Sequence, residues 1–91
     1  MQINEFQEQL DGSLTMVDVW APWCGPCRTL TPIIEKVSEE KNVKLLKINA
    51  DESGDLATSL GVRGIPTVIF FKDGQEMDRI VGLKQATAYN E

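Results

Sequence analysis

The chain contains no histidine, and that absence removes more chemistry than any other feature of its composition. Without an imidazole there is no Ser-His-Asp triad and no Cys-His pair, because the general base of each is missing. Cysteine is scarce too. Cys24 and Cys27 alone cannot supply the four Cys/His ligands of a structural zinc site. A c-type haem needs His directly after C-x-x-C, and Arg28 stands there. No metal is expected. Basic residues are also in short supply: 9 Lys and Arg against 14 Asp and Glu give a formal charge of −5. That is the wrong sign for tracking phosphate backbones or anionic lipid, so neither nucleic acid nor membrane is expected as a partner. No run approaches the ~20 apolar residues of a membrane span. The start, Met1-Gln2-Ile3-Asn4-Glu5, has neither the basic nor the apolar segment of a signal peptide. A chain complete at that point would be cytoplasmic.

What is present is ordinary globular usage. With 42% hydrophobic and 25% charged residues the chain packs a core, and its 91 residues give room for one domain, residues 1–91, and not for two. Asn4 reads as a helix N-cap, with Phe6 and Leu10 on one face of a short helix ending near Gly12. Residues 14–20 are rich in β-branched and large apolar residues without clean alternation, as a strand covered on both faces should be. Cys27, Leu30, Ile34 and Val37 recur at helical spacing to about Glu40, the longest helix, which Pro32 should kink. Residues 43–48 read as a second strand, so the unit is a right-handed βαβ. A weaker helix covers roughly residues 54–60. Asp73-Gly74 between two strand patterns, 67–71 and 76–81, is a hairpin signal. The tail from Leu83 offers at most two helical turns. The expected fold class is α/β: a mixed four-stranded sheet flanked by helices, in the order α-β-α-β-α-β-β-α.

The dithiol lies between a strand and the first turn of a helix. Cys24 falls at the N-cap or first turn, where free N–H groups and the positive dipole end stabilise a thiolate. Cys27, one turn further in, should be more covered. Two intervening residues bring the sulfurs close enough to close a disulfide and reopen it. A structural disulfide or two inert buried thiols is the bland alternative, but so small a loop adds little stability. Asp18 sits among apolar neighbours six residues before Cys24; burial would raise its pKa and suit it to accept a proton from Cys27. Lys47, on the neighbouring strand, is an ordinary solvated lysine unless it pairs with Asp18. Pro66 in Gly64-Ile65-Pro66-Thr67 is tolerated at a strand's first residue, and a cis bond there would run against a base rate of ~5–6%.

These residues together resemble the thioredoxin family. Val17-Asp18-Val19-Trp20-Ala21-Pro22-Trp23-Cys24-Gly25-Pro26-Cys27-Arg28, then Pro32, Lys47, residues 62–67, Asp73-Gly74 and Val81-Gly82 fall in the family's order from about Phe6 to Gly82. The resemblance implies a thioredoxin-like fold and a thiol-disulfide oxidoreductase that reduces protein disulfides, with Cys24 attacking and Cys27 resolving. It implies a cis-proline at Pro66 facing the dithiol, and a substrate surface of Trp23, Gly25, Pro26, Ile65 and Gly82. Asp18 and Lys47 match the family's buried acid and its lysine neighbour. The reactive disulfide would be its own cofactor. Electrons would come from NADPH through a separate flavoprotein, thioredoxin reductase, which with disulfide-containing proteins completes the partners of an expected monomer. Gly25-Pro26 between the cysteines is similar to the reducing members. Two departures stand out: the family's first strand is largely absent and the last helix is short, so an exposed sheet edge and lower stability are expected. A pure binding module and a disulfide donor or isomerase are the competing readings.

Overall fold

The computed structural model describes residues 2–84 and 86–89. Its central strand β1, Thr15–Trp20, is buried from Thr15 through Val19, which is why that segment shows no polar alternation. From β1 the chain passes through a short loop into a long helix, Gly25–Lys41, and returns as β2, Lys44–Asn49, parallel to β1. In chain order the elements are α1 (Ile3–Gln9), β1, α2 (Gly25–Lys41), β2, α3 (Gly54–Ser59), β3 (Thr67–Lys72), β4 (Gln75–Val81) and a 3-10 turn at Ala86–Tyr89. The sheet order is β2-β1-β3-β4, with β3 antiparallel to both β1 and β4. Asp73 and Gly74 both have positive φ, 54° and 76°, the backbone of a type I′ turn whose twist matches the flanking strands.

Alternation along β1 divides the core. Val17 and Val19 point to one face, where they pack with Phe6 of α1, Leu56 and Ala57 of α3, and Ile48, Ile69 and Phe71. Met16 points to the other, with Leu30, Ile34 and Val37 of α2, Val68 and Tyr89. Asp18 shares that second parity, so it lies beneath α2. The helix α2 continues through Pro32 as one element, and Asn42, in the left-handed conformation at φ 54°, stops it.

Two sequence expectations change. The N-cap of α1 is Gln2, not Asn4, because the Glu5 carboxylate accepts from the Gln2 N–H at 3.2 Å and closes the first turn there. The tail forms a 3-10 turn rather than an α-helix. Among the described residues Tyr89 holds it: it is 3% exposed, its hydroxyl donates to the Gly82 carbonyl (3.4 Å) and accepts from the Lys84 N–H (3.3 Å). The family's first strand is absent from the described residues, as expected: Gln2 and Ile3 go into the cap and first turn of α1, while Met1 lies outside the described residues. Among the described residues β2 therefore pairs only with β1, and its outer edge is open, as expected.

Candidate active site

Cys24 is the N-cap of α2. Its backbone is extended (φ −89°, ψ 108°), and its Sγ accepts from the Cys27 N–H at 3.2 Å, a bond to one of the amides that a helix start leaves without an intrahelical partner. The local sequence builds this start. Pro26 falls in the first turn, where a missing N–H costs nothing and its fixed φ suits the helix. Cys24 and Cys27 are joined in a disulfide, with Cα atoms 5.2 Å apart. In the reduced chain the same geometry places the Cys24 sulfur at the positive end of a 17-residue helix, where a thiolate is favoured. Cys24 is 5% exposed and Cys27 1%, so the outer sulfur is the accessible one.

Behind the disulfide, Ala21, Cys24 and Cys27 form a small buried cluster against which Trp20 and Ile65 pack. Asp18, two residues back from Trp20 on the same face of β1, is 1% exposed, and neither carboxylate oxygen has a hydrogen-bond partner among the described residues. Burial pushes its pKa up from 3.8 to about 6; the positive charge of Lys47 offsets part of this and the negative charge of Glu35 adds to it. Lys47 is the register partner of Asp18 across the parallel pair. Its ammonium, however, bonds the Glu35 carboxylate of α2 at 2.7 Å, so it influences Asp18 through space and makes no direct ion pair with it. The reason is solvation: the Lys47 head stays at the surface beside an exposed partner, 41% and 50% exposed respectively. The indole N–H of Trp20 is a second buried group without a hydrogen-bond partner among the described residues.

The surface around the dithiol is assembled from four places. Trp23 is 69% exposed, and its indole N–H lies 3.0 and 3.1 Å from the two carboxylate oxygens of Asp51, beyond β2. Gly25 and Pro26 are exposed on the first turn of α2. The Ile65–Pro66 bond is cis; Pro66 is buried and Ile65 half-buried against the cysteines. The Gly82 N–H donates to the Pro66 carbonyl at 2.8 Å, which ties the end of β4 to the cis-proline loop. Sequence reasoning singled out all six of these surface residues but missed Asp51 and Glu35. Both are ordinary surface acids in the sequence, and only packing shows which partner each one meets.

Comparison with known proteins agrees with this geometry. The thioredoxin family model matches residues 1–91. Thioredoxin 1 of Synechococcus elongatus is 46% identical over 79 residues, an overlap of 84% of this chain and 74% of that protein. The thioredoxin of Rickettsia bellii is 50% identical over 78 residues, with the same 84% and 74% coverage. Among solved structures, a thioredoxin variant from Halobacterium salinarum superposes with a TM-score of 0.89 at 36% identity, covering 96% of this chain and 78% of that one. An open mixed sheet, a helix capped by one cysteine of a C-x-x-C disulfide, and these relatives converge: the chain belongs to the thioredoxin family and is a thiol-disulfide oxidoreductase built on the Cys24–Cys27 pair.

Proposed function

We propose that the chain reduces protein disulfides, with Cys24 as the attacking and Cys27 as the resolving cysteine. The observation that carries this is the Cys24 sulfur at the N-cap of α2, receiving the Cys27 N–H. In thioredoxins as a class the attacking thiol titrates near 7 against about 8.5 for a free cysteine. That difference corresponds to about 2 kcal/mol of thiolate stabilisation.

The Cys24 thiolate attacks one sulfur of a substrate disulfide, forming a mixed disulfide and expelling the other sulfur as a thiolate. Cys27 then gives up its proton and attacks the Cys24 sulfur, which releases the second substrate thiolate and leaves the Cys24–Cys27 disulfide. Substrate gains two electrons and the protein loses two. Asp18, buried on the same side of the sheet and without a hydrogen-bond partner among the described residues, accepts the Cys27 proton; a pKa near 6 keeps it mostly ionised at neutral pH yet basic enough to take one. Lys47 tunes that basicity through its charge. Trp23, Gly25, Pro26, Ile65 and Gly82 receive the substrate segment around the sulfurs, with the Ile65 backbone pairing to it as a short added strand beside Pro66.

The disulfide is the only redox group the cycle uses. Its electrons come from NADPH through a separate flavin-containing thioredoxin reductase, and the chain works as a cytoplasmic monomer. Equilibration of the Cys24/Cys27 pair in dithiol-disulfide buffers, with alkylation of the free thiols, tests the direction of flow. A potential near the reference value for thioredoxins, about −270 mV, identifies a reductant, whereas one near −120 mV identifies a donor of disulfides and overturns this reading.

A further inference from the structure

The loop carrying Ile65 and Pro66 is held at both of its ends by one strand. At the far end the Gly82 N–H, just past β4, bonds the Pro66 carbonyl at 2.8 Å, and the Thr67 hydroxyl bonds the Gly64 carbonyl at 2.6 Å. The near end is the exit from α3, where Leu60 caps the helix and Gly61 turns the chain with φ 72°. The Leu60, Gly61 and Val62 N–H groups are used by carbonyls inside the helix, at 2.9, 2.9 and 3.0 Å. The Leu60 and Gly61 carbonyls, at the negative end of that helix, take their donors from Arg79 of β4: Nη2 to Leu60 at 2.8 Å and Nη1 to Gly61 at 3.4 Å.

Arg79 is itself fixed. It stands opposite Ile69 in β3 and so projects on the face covered by α3. Its Nε and Nη2 bond the two oxygens of Glu76, at 2.7 and 2.6 Å. A fork-on-fork pair of this kind sets the plane of the guanidinium and leaves its remaining N–H groups aimed at the two carbonyls. Burial is modest, with 29% of the Arg79 side chain exposed, so the pair by itself adds little stability. Its consequence is geometric. Between the Arg79 anchor at Gly61 and the Gly82 anchor at Pro66 run only Val62, Arg63, Gly64 and Ile65.

We propose that Arg79 is a positioning residue for substrate recognition: by tying the exit of α3 to β4 it sets where the Ile65 backbone stands relative to the Cys24–Cys27 pair. This rests on the reading of the Ile65–Pro66 segment as the docking strand of a protein-disulfide reductase. Arg79 touches neither sulfur, so its loss acts on how a polypeptide is held and leaves the chemistry of the dithiol alone.

The test uses the full chain and two variants, R79A and R79K, with three readouts. They are kcat and KM for the disulfides of insulin with dithiothreitol as reductant, the rate with the small aromatic disulfide dithiobis(nitrobenzoate), and the reduction potential of the dithiol. In R79A the KM for insulin is expected to rise roughly fivefold, the effect of one weakened backbone hydrogen bond to substrate, with kcat, the small-disulfide rate and the potential unchanged. In R79K a single ammonium reaches one carbonyl and loses the fork, so KM should rise roughly twofold. If R79A melts below the assay temperature, R79K carries the same comparison. An unchanged KM, or equal losses against insulin and the small disulfide together with a moved potential, overturns the positioning role. A wild-type chain that reduces neither substrate overturns the reductase reading itself, and the proposal with it.

Discussion

Under α1 and α3 the sheet presents Val17, Val19, Ile48, Ile69 and Phe71, closed by Phe6, Leu56 and Ala57, with the Phe6 and Phe71 rings edge to face at 5.5 Å. Under α2 it presents Met16 and Val68, closed by Leu30, Ile34, Val37 and Tyr89, and in the same layer, between Met16 and the dithiol, lies Asp18. One face is apolar apart from the hydroxyls of Thr15 and Thr67, which bond the Ser13 and Gly64 carbonyls, and the guanidinium of Arg79 at its margin; the other encloses a carboxyl group with no hydrogen bond to either oxygen among the described residues. A small domain has a net stability of only about 5–15 kcal/mol, so a buried carboxylate that opposes folding is a large concession. It falls on the face that supports the cysteines. The difference separates two roles in one sheet: the α1/α3 face supplies cohesion, and the α2 face trades some of it for a proton acceptor behind the disulfide.

The largest effects should separate the two roles outright. Cys24→Ser removes the attacking sulfur, and insulin reduction should fall to background while urea unfolding of the reduced chain changes little. Phe71→Ala, on the cohesive face, should do the reverse. It costs about 3–5 kcal/mol in urea unfolding and leaves the reduction potential of the folded chain where it was. Unchanged unfolding in Phe71→Ala would break the comparison.

Asp18→Asn tests the concession directly. Asp18 ionises at 3.8 unfolded and at about 6 folded, so the folded chain binds the extra proton between these values. Stability contributed by this group therefore declines as pH rises from 3.8 to about 6 and is level above that. The difference amounts to about 3 kcal/mol, so Asp18→Asn should be more stable than the parent by up to that amount at pH 7 and equal to it at pH 3. The same variant should resolve mixed disulfides more slowly, as read by quenched-flow trapping. A stabilised variant with unaltered resolution would remove Asp18 from the mechanism while keeping its energetic role.

Lys47→Met should have the smallest effect on folding. Its exposed pair with Glu35 is worth under about 1 kcal/mol. The charge it withdraws should nonetheless move the Asp18 titration further above its present position, since Lys47 lowers it and Glu35, now unpaired, raises it. Carboxyl carbon NMR across pH 4–9 reads that movement; a titration that stays put would mean that burial alone governs Asp18.

How much of this was legible in the sequence depends on the range of the interaction. The dithiol at a helix start, the I′ turn at Asp73-Gly74 and the burial of β1 follow from residues within a turn or a strand of each other, and all three are present. The cis bond at Ile65–Pro66 was legible only through family resemblance, because nothing in an Ile-Pro dipeptide favours it. The cap of α1 was misplaced by two residues, since Asn4 is the stronger local capper but Gln2 has Glu5 at the right spacing. The tail forms a 3-10 turn and not an α-helix: among the described residues Tyr89 is its buried anchor, and it holds a single turn.

Chain order, the sheet and the redox pair were thus determined by the sequence itself, through hydrophobic periodicity, turn chemistry and a two-residue spacing that closes within one helical turn. The tertiary structure decided who meets whom. Lys47 finds Glu35 across 12 residues, Arg79 finds Leu60 across 19, and Trp23 finds Asp51 across 28. It also decided that Asp18 finds no hydrogen-bonding partner among the described residues. The physical reason is that a side chain's charge is local but its solvation is not. Whether a carboxylate is held, paired or stranded depends on which surfaces close over it, and that is set only when the two faces of the sheet are covered.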